Sequence, residues 1–556
     1  MESTMQAPPL LIGHILTYGT TCHANQEVVT WGADGARRMT FRQVGEQAAQ
    51  LAHALRSLGI TGDQRVATFM WNNAEHLVAY LAVPAMGAVL HAWNIRLSPD
   101  QVIYIANHAG AEVVMVDDTL LAPFRQMLPH LPKIRHVIVN GTVDDATMAD
   151  IQAVDHVEGA HRYADLLADH PTTYAWPDDL NELDASSMCY TSGTTGNPKG
   201  VAYSHRANYL HAVAVAMTLK VQEGDRVLVV VPLFHANGWG LAYAALAAGA
   251  SMMMPDRYLQ GAPLAQFIEA EKITKGAGVP TVWNDLLQTV EKTGGDLSSC
   301  TMLMVGGAPC PPALMRAFHD RHNIDLIHGW GMTEMTPVGT LAFPPTAVKE
   351  GSDEYWRYRA TQGRLLVGVE GRLTTPEGTL APHDGESVGE VEVRGPWITA
   401  SYYLNGTESE AEKADMQSKF HDGWLRTGDV GTLSADGYLV LTDRAKDVIK
   451  SGGEWISSVL LENAIMAHPE VVEASVVGIP DEKWGERPLA TVVLREGSTA
   501  TLAELADSLT DKVAKWQVPE HWVIVDEVPK TSVGKFDKKV IRSRYADGDF
   551  TVNTVR

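Results

Sequence analysis

Tyr190-Thr191-Ser192-Gly193-Thr194-Thr195-Gly196-Asn197-Pro198-Lys199-Gly200 concentrates glycine, serine and threonine ahead of a single lysine. Glycine lets a backbone approach a ligand closely and adopt φ > 0. Consecutive N–H groups in such a loop form a concave anion site, and hydroxyls add donors for phosphate oxygens or ligands for a hard cation. Upstream, Ser186-Ser187-Met188-Cys189-Tyr190 reads as a short strand. Downstream, residues 205–220 read as a helix with Leu210, Val213, Ala214 and Met217 on one face. Strand, loop and helix together predict a phosphate-binding turn. It is not a Walker loop, which ends Gly-Lys-Ser/Thr, because Lys199 stands between Pro198 and Gly200. A Ser/Thr/Gly-rich surface linker is the plain alternative, but a linker seldom carries an apolar strand and helix at its two ends.

Working outward, 556 residues exceed what one hydrophobic core organises, so two or more domains are expected. With 45% apolar and 20% charged residues the chain has ample core for a soluble globular protein. Against 44 Lys and Arg stand 67 Asp and Glu, a net charge of −23. That excess argues against nucleic acid or an anionic membrane as the main partner. Cys22, Cys189, Cys300 and Cys310 show no paired or metal-type spacing, which suits a reducing, cytoplasmic setting. The first five residues lack the basic flank and apolar run of a signal peptide. The apolar stretches 79–93 and 239–254 fall short of the ~20 residues a spanning helix needs. Pro84, Gly240 and Gly249 interrupt them, so no integral membrane segment is expected.

Thr40 and Gln43 form a capping-box pattern ahead of a helix burying Val44, Ala48, Leu51, Ala52 and Leu55. Strand 65–70, helix 74–86, a further strand, a helix capped by Ser98 and strand 112–116 follow. This alternation predicts a parallel sheet covered on both faces. Residues 140–184 lose the pattern and read as a connector. A second α/β block follows the loop: strands 226–231, 251–254 and 302–305, helices 242–248, 263–273 and 311–321, and a helix after Pro280. Residues 341–441 carry short strands between Gly, Pro and Asp turns, which predicts a β-rich subdomain. Tyr355-Trp356-Arg357-Tyr358 within it has no assignment from sequence. Beyond Asp443 come a helix (458–468), two strands (471–479, 489–494) and a helix (502–515), enough for a separate lid. The expected domains are therefore 1–443 and 444–556.

Four further motifs bear on chemistry. In His328-Gly329-Trp330-Gly331-Met332-Thr333-Glu334 the ring suits stacking on a flat ligand, and Glu334 is a hard oxygen ligand suited to Mg²⁺. Trp424-Leu425-Arg426-Thr427-Gly428-Asp429 ends in a carboxylate able to accept both hydroxyls of a ribose. Asp443-Arg444-Ala445-Lys446-Asp447 packs charge at the composition break ahead of Gly452-Gly453, where a hinge is expected. Pro529-Lys530-Thr531-Ser532-Val533-Gly534-Lys535-Phe536 presents a lysine after glycine near the end. Each alone reads equally as a turn or a solvated charge run.

In this order and rough spacing the motifs resemble the successive core motifs of the adenylate-forming (AMP-binding) superfamily, over about residues 15–545. Ser451-Gly452-Gly453-Glu454-Trp455-Ile456-Ser457-Ser458 and Pro232-Leu233-Phe234-His235-Ala236-Asn237-Gly238-Trp239 resemble its bacterial medium- and long-chain fatty-acyl-CoA synthetases. The resemblance implies an α/β multidomain fold. A large N-terminal domain would hold two α/β subdomains and a distorted β-barrel, with a small mobile α+β C-terminal lid. It also implies roles: Thr191 and Glu334 as Mg²⁺ ligands, and Thr191, Ser192, Gly193, Thr194, Thr195, Gly196 and Lys199 around the pyrophosphate end of ATP. Gly307, Ala308, His328, Gly329, Trp330, Gly331, Met332 and Thr333 would wall the adenine and α-phosphate. Asp429 and Arg444 would hold the ribose, Lys446 the hinge, and Lys450 and Trp455 further nucleotide contacts. Lys535 would be the catalytic lysine, alongside Thr191 and Glu334. Trp239 would gate an acyl tunnel whose walls include His235, Val279 and Gly307, while Gly452, Gly453 and Glu454 would face coenzyme A. His328 stands where a close pattern has glutamine, and either side chain can face adenine.

The implied activity is an AMP-forming acyl-CoA synthetase. A carboxylic acid of medium or long chain and ATP would give acyl-AMP and pyrophosphate, and coenzyme A would then give acyl-CoA and AMP. A short thioether-bearing or aryl acid, or transfer to a carrier protein, are the alternatives. An amino-acid substrate usually goes with aspartate after the phenylalanine at 234, where His235 stands. The partners implied are small molecules, with no nucleic acid, and a second copy of the chain, since relatives dimerise through the N-terminal domain.

Overall fold

The computed structural model describes the chain apart from residues 2, 192–196, 376, 445, 446, 448, 452, 453, 511, 532–535 and 556, and apart from the side chains of 443, 444, 450, 454 and 455. The hinge residue Lys446, the lysine Lys535, the lid glycines Gly452 and Gly453 and most of the glycine-rich loop therefore lie outside the described residues. So do the side chains of Arg444, Lys450, Glu454 and Trp455.

Three sheets carry the chain. The first has seven strands in the order Gly159–Arg162, His136–Asn140, Val113–Asp117, Arg65–Phe69, Val89–Ala92, Ala185–Tyr190, Gly200–Ser204. All neighbours are parallel except the last pair. The helices expected from periodicity are present. Phe41–Ser57 opens on a complete capping box of Thr40 and Gln43 and buries Val44, Ala48, Leu51, Ala52 and Leu55. Ser98 does stand at the N-cap of helix Pro99–Ala109, but its side chain makes no capping bond. The connector is more ordered than its composition suggested. It folds as helix Asp145–Gln152, edge strand Gly159–Arg162 and helix Tyr163–Ala168.

The second sheet has an antiparallel edge strand, Arg37–Thr40, and then six parallel strands, Glu27–Thr30, Ser251–Met254, Arg226–Val229, Lys275–Gly278, Met302–Val305 and Asp325–Gly331. At Asp325–Gly331 it turns antiparallel and runs through Val338–Leu341 and Gly363–Leu365 into the β-rich block. That block extends this open path, and no closed barrel is formed among the described residues. Tyr355 and Trp356 belong to helix Asp353–Arg359 and pack with the fully buried Arg359, whose guanidinium donates to Asp325 and to the Leu326 carbonyl. The third sheet, Ile449–Thr554 in extent, has its own apolar clusters around Ile449, Leu461, Val476 and Trp522, and Val477, Leu489 and Ile541. Its last predicted helix is shorter than expected, ending at Asp507.

Candidate active site

The strands on either side of the glycine-rich segment form an antiparallel hairpin. Tyr190 pairs with Gly200 across antiparallel strands, and the helix begins only at His205, after strand Gly200–Ser204. The expected strand–loop–helix turn is thus corrected: a strand, not a helix, follows the loop. The base of the loop is closed twice, by Thr191 N–H donating to the Lys199 carbonyl (2.9 Å) and Lys199 N–H donating to Thr191 Oγ1 (3.1 Å). The expected apolar face of helix His205–Thr218 is also corrected, since Val213 and Met217 are exposed. Polar bonds choose the buried face instead. Asn208 donates to Ser186 and Ser187, and His211 Nε2 accepts the Val338 N–H.

The hairpin stands over a cavity of about 200 Å³. From the loop come Thr191, Asn197 and Lys199; from the 232–240 segment, His235 and Trp239; from beyond strand Met302–Val305, Gly307. Gly329, Trp330, Gly331, Met332, Thr333 and Glu334 close the far wall. Tyr203, on the hairpin's second strand, fixes that wall by donating to the Thr333 carbonyl at 2.6 Å. Tyr402 and Lys419, which the sequence did not single out, also line it, as does Arg426 of the 424–429 motif.

Glu334 is buried on a single 3₁₀ turn, Thr333–Met335. Its Oε1 accepts the Tyr402 hydroxyl at 2.6 Å. Burial, and then Glu334 itself, push the Tyr402 phenol above its ordinary range, so the hydroxyl keeps its proton and donates. Lys199 Nζ lies 2.5 Å from Asp415 Oδ2 and 5.3 Å from the centre of the Tyr402 ring. Trp330 serves differently from the expected stacking platform alone. Its indole N–H donates to Asp429 Oδ2 at 2.7 Å, with both residues buried. Asp429 faces Arg444 across the strand pair Trp424–Leu433 and Tyr438–Arg444, which brings the two expected ribose residues together in register.

Three expected wall residues lie elsewhere. His328 is buried behind the cavity with Nδ1 on the Thr361 carbonyl (3.0 Å), and burial pulls its imidazole down to about 4. Ala308 lines a second cleft, and Val279, N-capping helix Pro280–Thr293, lines neither. That second cleft, about 560 Å³, runs between Pro280–Thr293 and Pro312–His322 on one side and Ser458–Met466 on the other. Gly307 and Ala308 are sequence neighbours, so the two cavities adjoin. Phe536, which follows Lys535, lines the second.

Trp239 reaches the cavity on an unusual backbone. Ala236, Asn237, Gly238, Trp239 and Gly240 have φ of 42, 54, 57, 56 and 73°, a left-handed turn. Non-glycine residues pay roughly 1–2 kcal/mol each there. The buried Asn237 amide pins the turn, donating to Ser187 Oγ (3.0 Å) and Asn208 Oδ1 (3.1 Å). Across from it, a Cβ at Gly306 would stand 3.3 Å from the Trp239 ring and 2.9 Å from the Gly329 carbonyl. Glycine at 306 therefore leaves the space the indole occupies.

Residues 19–403 match the model of the AMP-binding enzyme family, and residues 460–535 that of the AMP-binding enzyme C-terminal domain. The chain is 40% identical to a medium-chain-fatty-acid–CoA ligase of Ectopseudomonas oleovorans, over 98% of each. It is 39% identical to a 3-methylmercaptopropionyl-CoA ligase of Ruegeria pomeroyi, over 98% of this chain and 99% of the relative. Among solved structures it is similar to the anthranilate CoA ligase AuaEII in complex with anthranoyl-AMP (TM-score 0.86, 27% identity, 99% and 100% of the two chains). With both family models matched in order along the chain, the chain belongs to the AMP-binding enzyme family.

Proposed function

We propose that this chain is an ATP-dependent, AMP-forming acyl-CoA synthetase for a carboxylic acid of medium or long chain. One observation carries the reading. A single cavity places the Thr191–Lys199 hairpin and Glu334 beside an apolar wall made by Trp239. Nucleotide phosphates and an acyl group would meet there. The acid's carboxylate attacks the α-phosphorus of ATP and pyrophosphate leaves; the coenzyme A thiol then attacks the acyl carbonyl and AMP leaves. Little covalent chemistry falls to the protein, so positioning supplies most of the rate.

Lys199 meets the pyrophosphate end, Asp429 and Arg444 the ribose, and Lys535 the carboxylate and α-phosphate as charge develops. Thr191 and Glu334 offer hard oxygens that fit Mg²⁺, since among described residues only Oε1 of Glu334 is engaged and Oε2 points to no partner. Bound there, Mg²⁺ would neutralise phosphate charge. Trp239 gates the acyl end, lined also by His235, and Gly452, Gly453 and Glu454 face coenzyme A. Residues 1–443 form the adenylation domain and 444–556 a lid turning near Lys446. The protein works in the cytoplasm, in fatty-acid metabolism, as a homodimer.

The relative acting on 3-methylmercaptopropionate supports a second reading, a short thioether acid as substrate. Pyrophosphate release measured over straight-chain, thioether and aryl acids, with and without coenzyme A, tests both. Highest kcat/KM on a short thioether or aryl acid would replace the first reading with the second, and release independent of any acid would sink both.

A further inference from the structure

The segment from Tyr402 to Asp415 lies across the hairpin and is fastened at four points, one to Glu334 on the cavity wall and three to the hairpin. Tyr402 donates to Glu334, and Tyr403 N–H donates to the Gly200 carbonyl (2.8 Å). His108 bridges Tyr190 Oη (2.6 Å) and Glu408 Oε1 (2.7 Å), all three largely buried. The fourth fastening is the ion pair Lys199–Asp415. Asp415 sits on helix Glu410–Gln417, whose start is fixed by a capping box of Ser409 and Glu412, so its position is set by the fold. The lysine side chain is 17% exposed and the aspartate 61%. The hydrogen bond from the Lys199 ammonium holds the Asp415 carboxyl below its usual range.

On the reading above, Lys199 binds the pyrophosphate end of ATP. We propose that Asp415 is an internal counter-anion for Lys199, displaced when the pyrophosphate end of ATP binds and paired again as pyrophosphate leaves. A lysine cannot keep a carboxylate at 2.5 Å while taking up a polyphosphate without bringing like charges into contact. Binding therefore trades one anion for another, which weakens ATP and pyrophosphate alike. The same trade lowers the barrier to pyrophosphate departure, because the ammonium is never left without a counter-charge. Asp415 touches no reacting atom and is a positioning residue.

The test is a cycle of Asp415→Asn, Lys199→Met and the double variant, in the full chain, with ATP and inorganic pyrophosphate as probes. Asp415→Asn should lower both the KM for ATP and the inhibition constant for pyrophosphate by roughly two- to fivefold, the range of an exposed ion pair. The KM for the acid should stay unchanged, and the effect should shrink as salt rises to ~1 M. In the Lys199→Met background the Asn substitution should change neither constant. An ATP KM unchanged or raised by Asp415→Asn, or lowered equally without Lys199, overturns the inference while leaving the function intact. If Lys199→Met itself leaves the ATP KM unchanged, the phosphate role of Lys199 fails, and this inference with it.

Discussion

Tyr402→Phe removes one hydroxyl and keeps the ring, so it isolates the bond to Glu334. That bond is short (2.6 Å) and has a carboxylate acceptor, and both residues are buried. Hydrogen bonds to charged groups contribute about 1.5–3 kcal/mol. The Lys199 ammonium, 5.3 Å over the ring, keeps its cation–π contact in the variant, so the phosphate end is spared. Partners that orient a metal-binding carboxylate typically cost 10–100-fold in metal affinity when removed. The half-saturating Mg²⁺ concentration in acid-dependent pyrophosphate release should therefore rise at least about tenfold, with the acid KM unchanged. Glu334→Gln provides the reference for loss of the carboxylate itself. If Glu334→Gln raises the Mg²⁺ requirement and Tyr402→Phe leaves it within twofold of wild type, the hydroxyl does not orient Glu334 for the cation and the reasoning fails.

Lys535→Ala should slow acyl-AMP formation by on the order of 10²-fold, as for loss of a positioned charge, and spare thioester formation from preformed acyl-AMP; equal loss in both half-reactions refutes the role. Trp239→Ala should widen the accepted acid lengths with the ATP KM unchanged, and Gly306→Ala, by pressing on the indole at 3.3 Å, should narrow them; unaltered acid profiles in both would make Trp239 plain core. Burial pulls the imidazoles of His76, His205 and His328 down to about 4, and of His91 and His211 down to about 3. Unfolding then takes up protons below pH ~6.5, so stability present at neutral pH is lost on acidification, by up to about 1.4 kcal/mol per pH unit for each histidine. Asp117, pushed up to about 7 by burial, works in the opposite sense with one proton against five. Urea midpoints should fall between pH 7 and 5; a flat profile would show these rings are charged or solvated in the folded state.

The parallel sheets, the capping box at Thr40 and the order of motifs were legible because local patterning and tertiary packing agree there. The hairpin was not. Gly200–Ser204 is too short and too mixed to stand out from the helix after it, and only its pairing with Ala185–Tyr190 makes it a strand. Helix His205–Thr218 misled in another way. Counting apolar residues put Val213 and Met217 inward, whereas the bonds of Asn208 and His211 decide the burial. Tyr402, Asp415 and Lys419 converge on the site from about 200 residues downstream of the loop, in a segment whose local sequence carries no motif. Their roles follow from long-range contacts that periodicity cannot register.

The left-handed turn at 236–240 restricts how this chain can acquire a new acid preference. Three of its five positions already hold non-glycine residues in a region that penalises a side chain, and a β-branched replacement there would add to that penalty. Asn237 is committed to Ser187 and Asn208, so it cannot be exchanged without releasing the turn. Variation is therefore less costly at the residues opposite: Gly306 beneath the ring, and Met304 and Val338 on strands of ordinary backbone. A mutant library aimed at the backbone of the tryptophan's own segment, Asn237 above all, would lose stability at most positions. One aimed at the facing strands would redraw the pocket around a fixed indole.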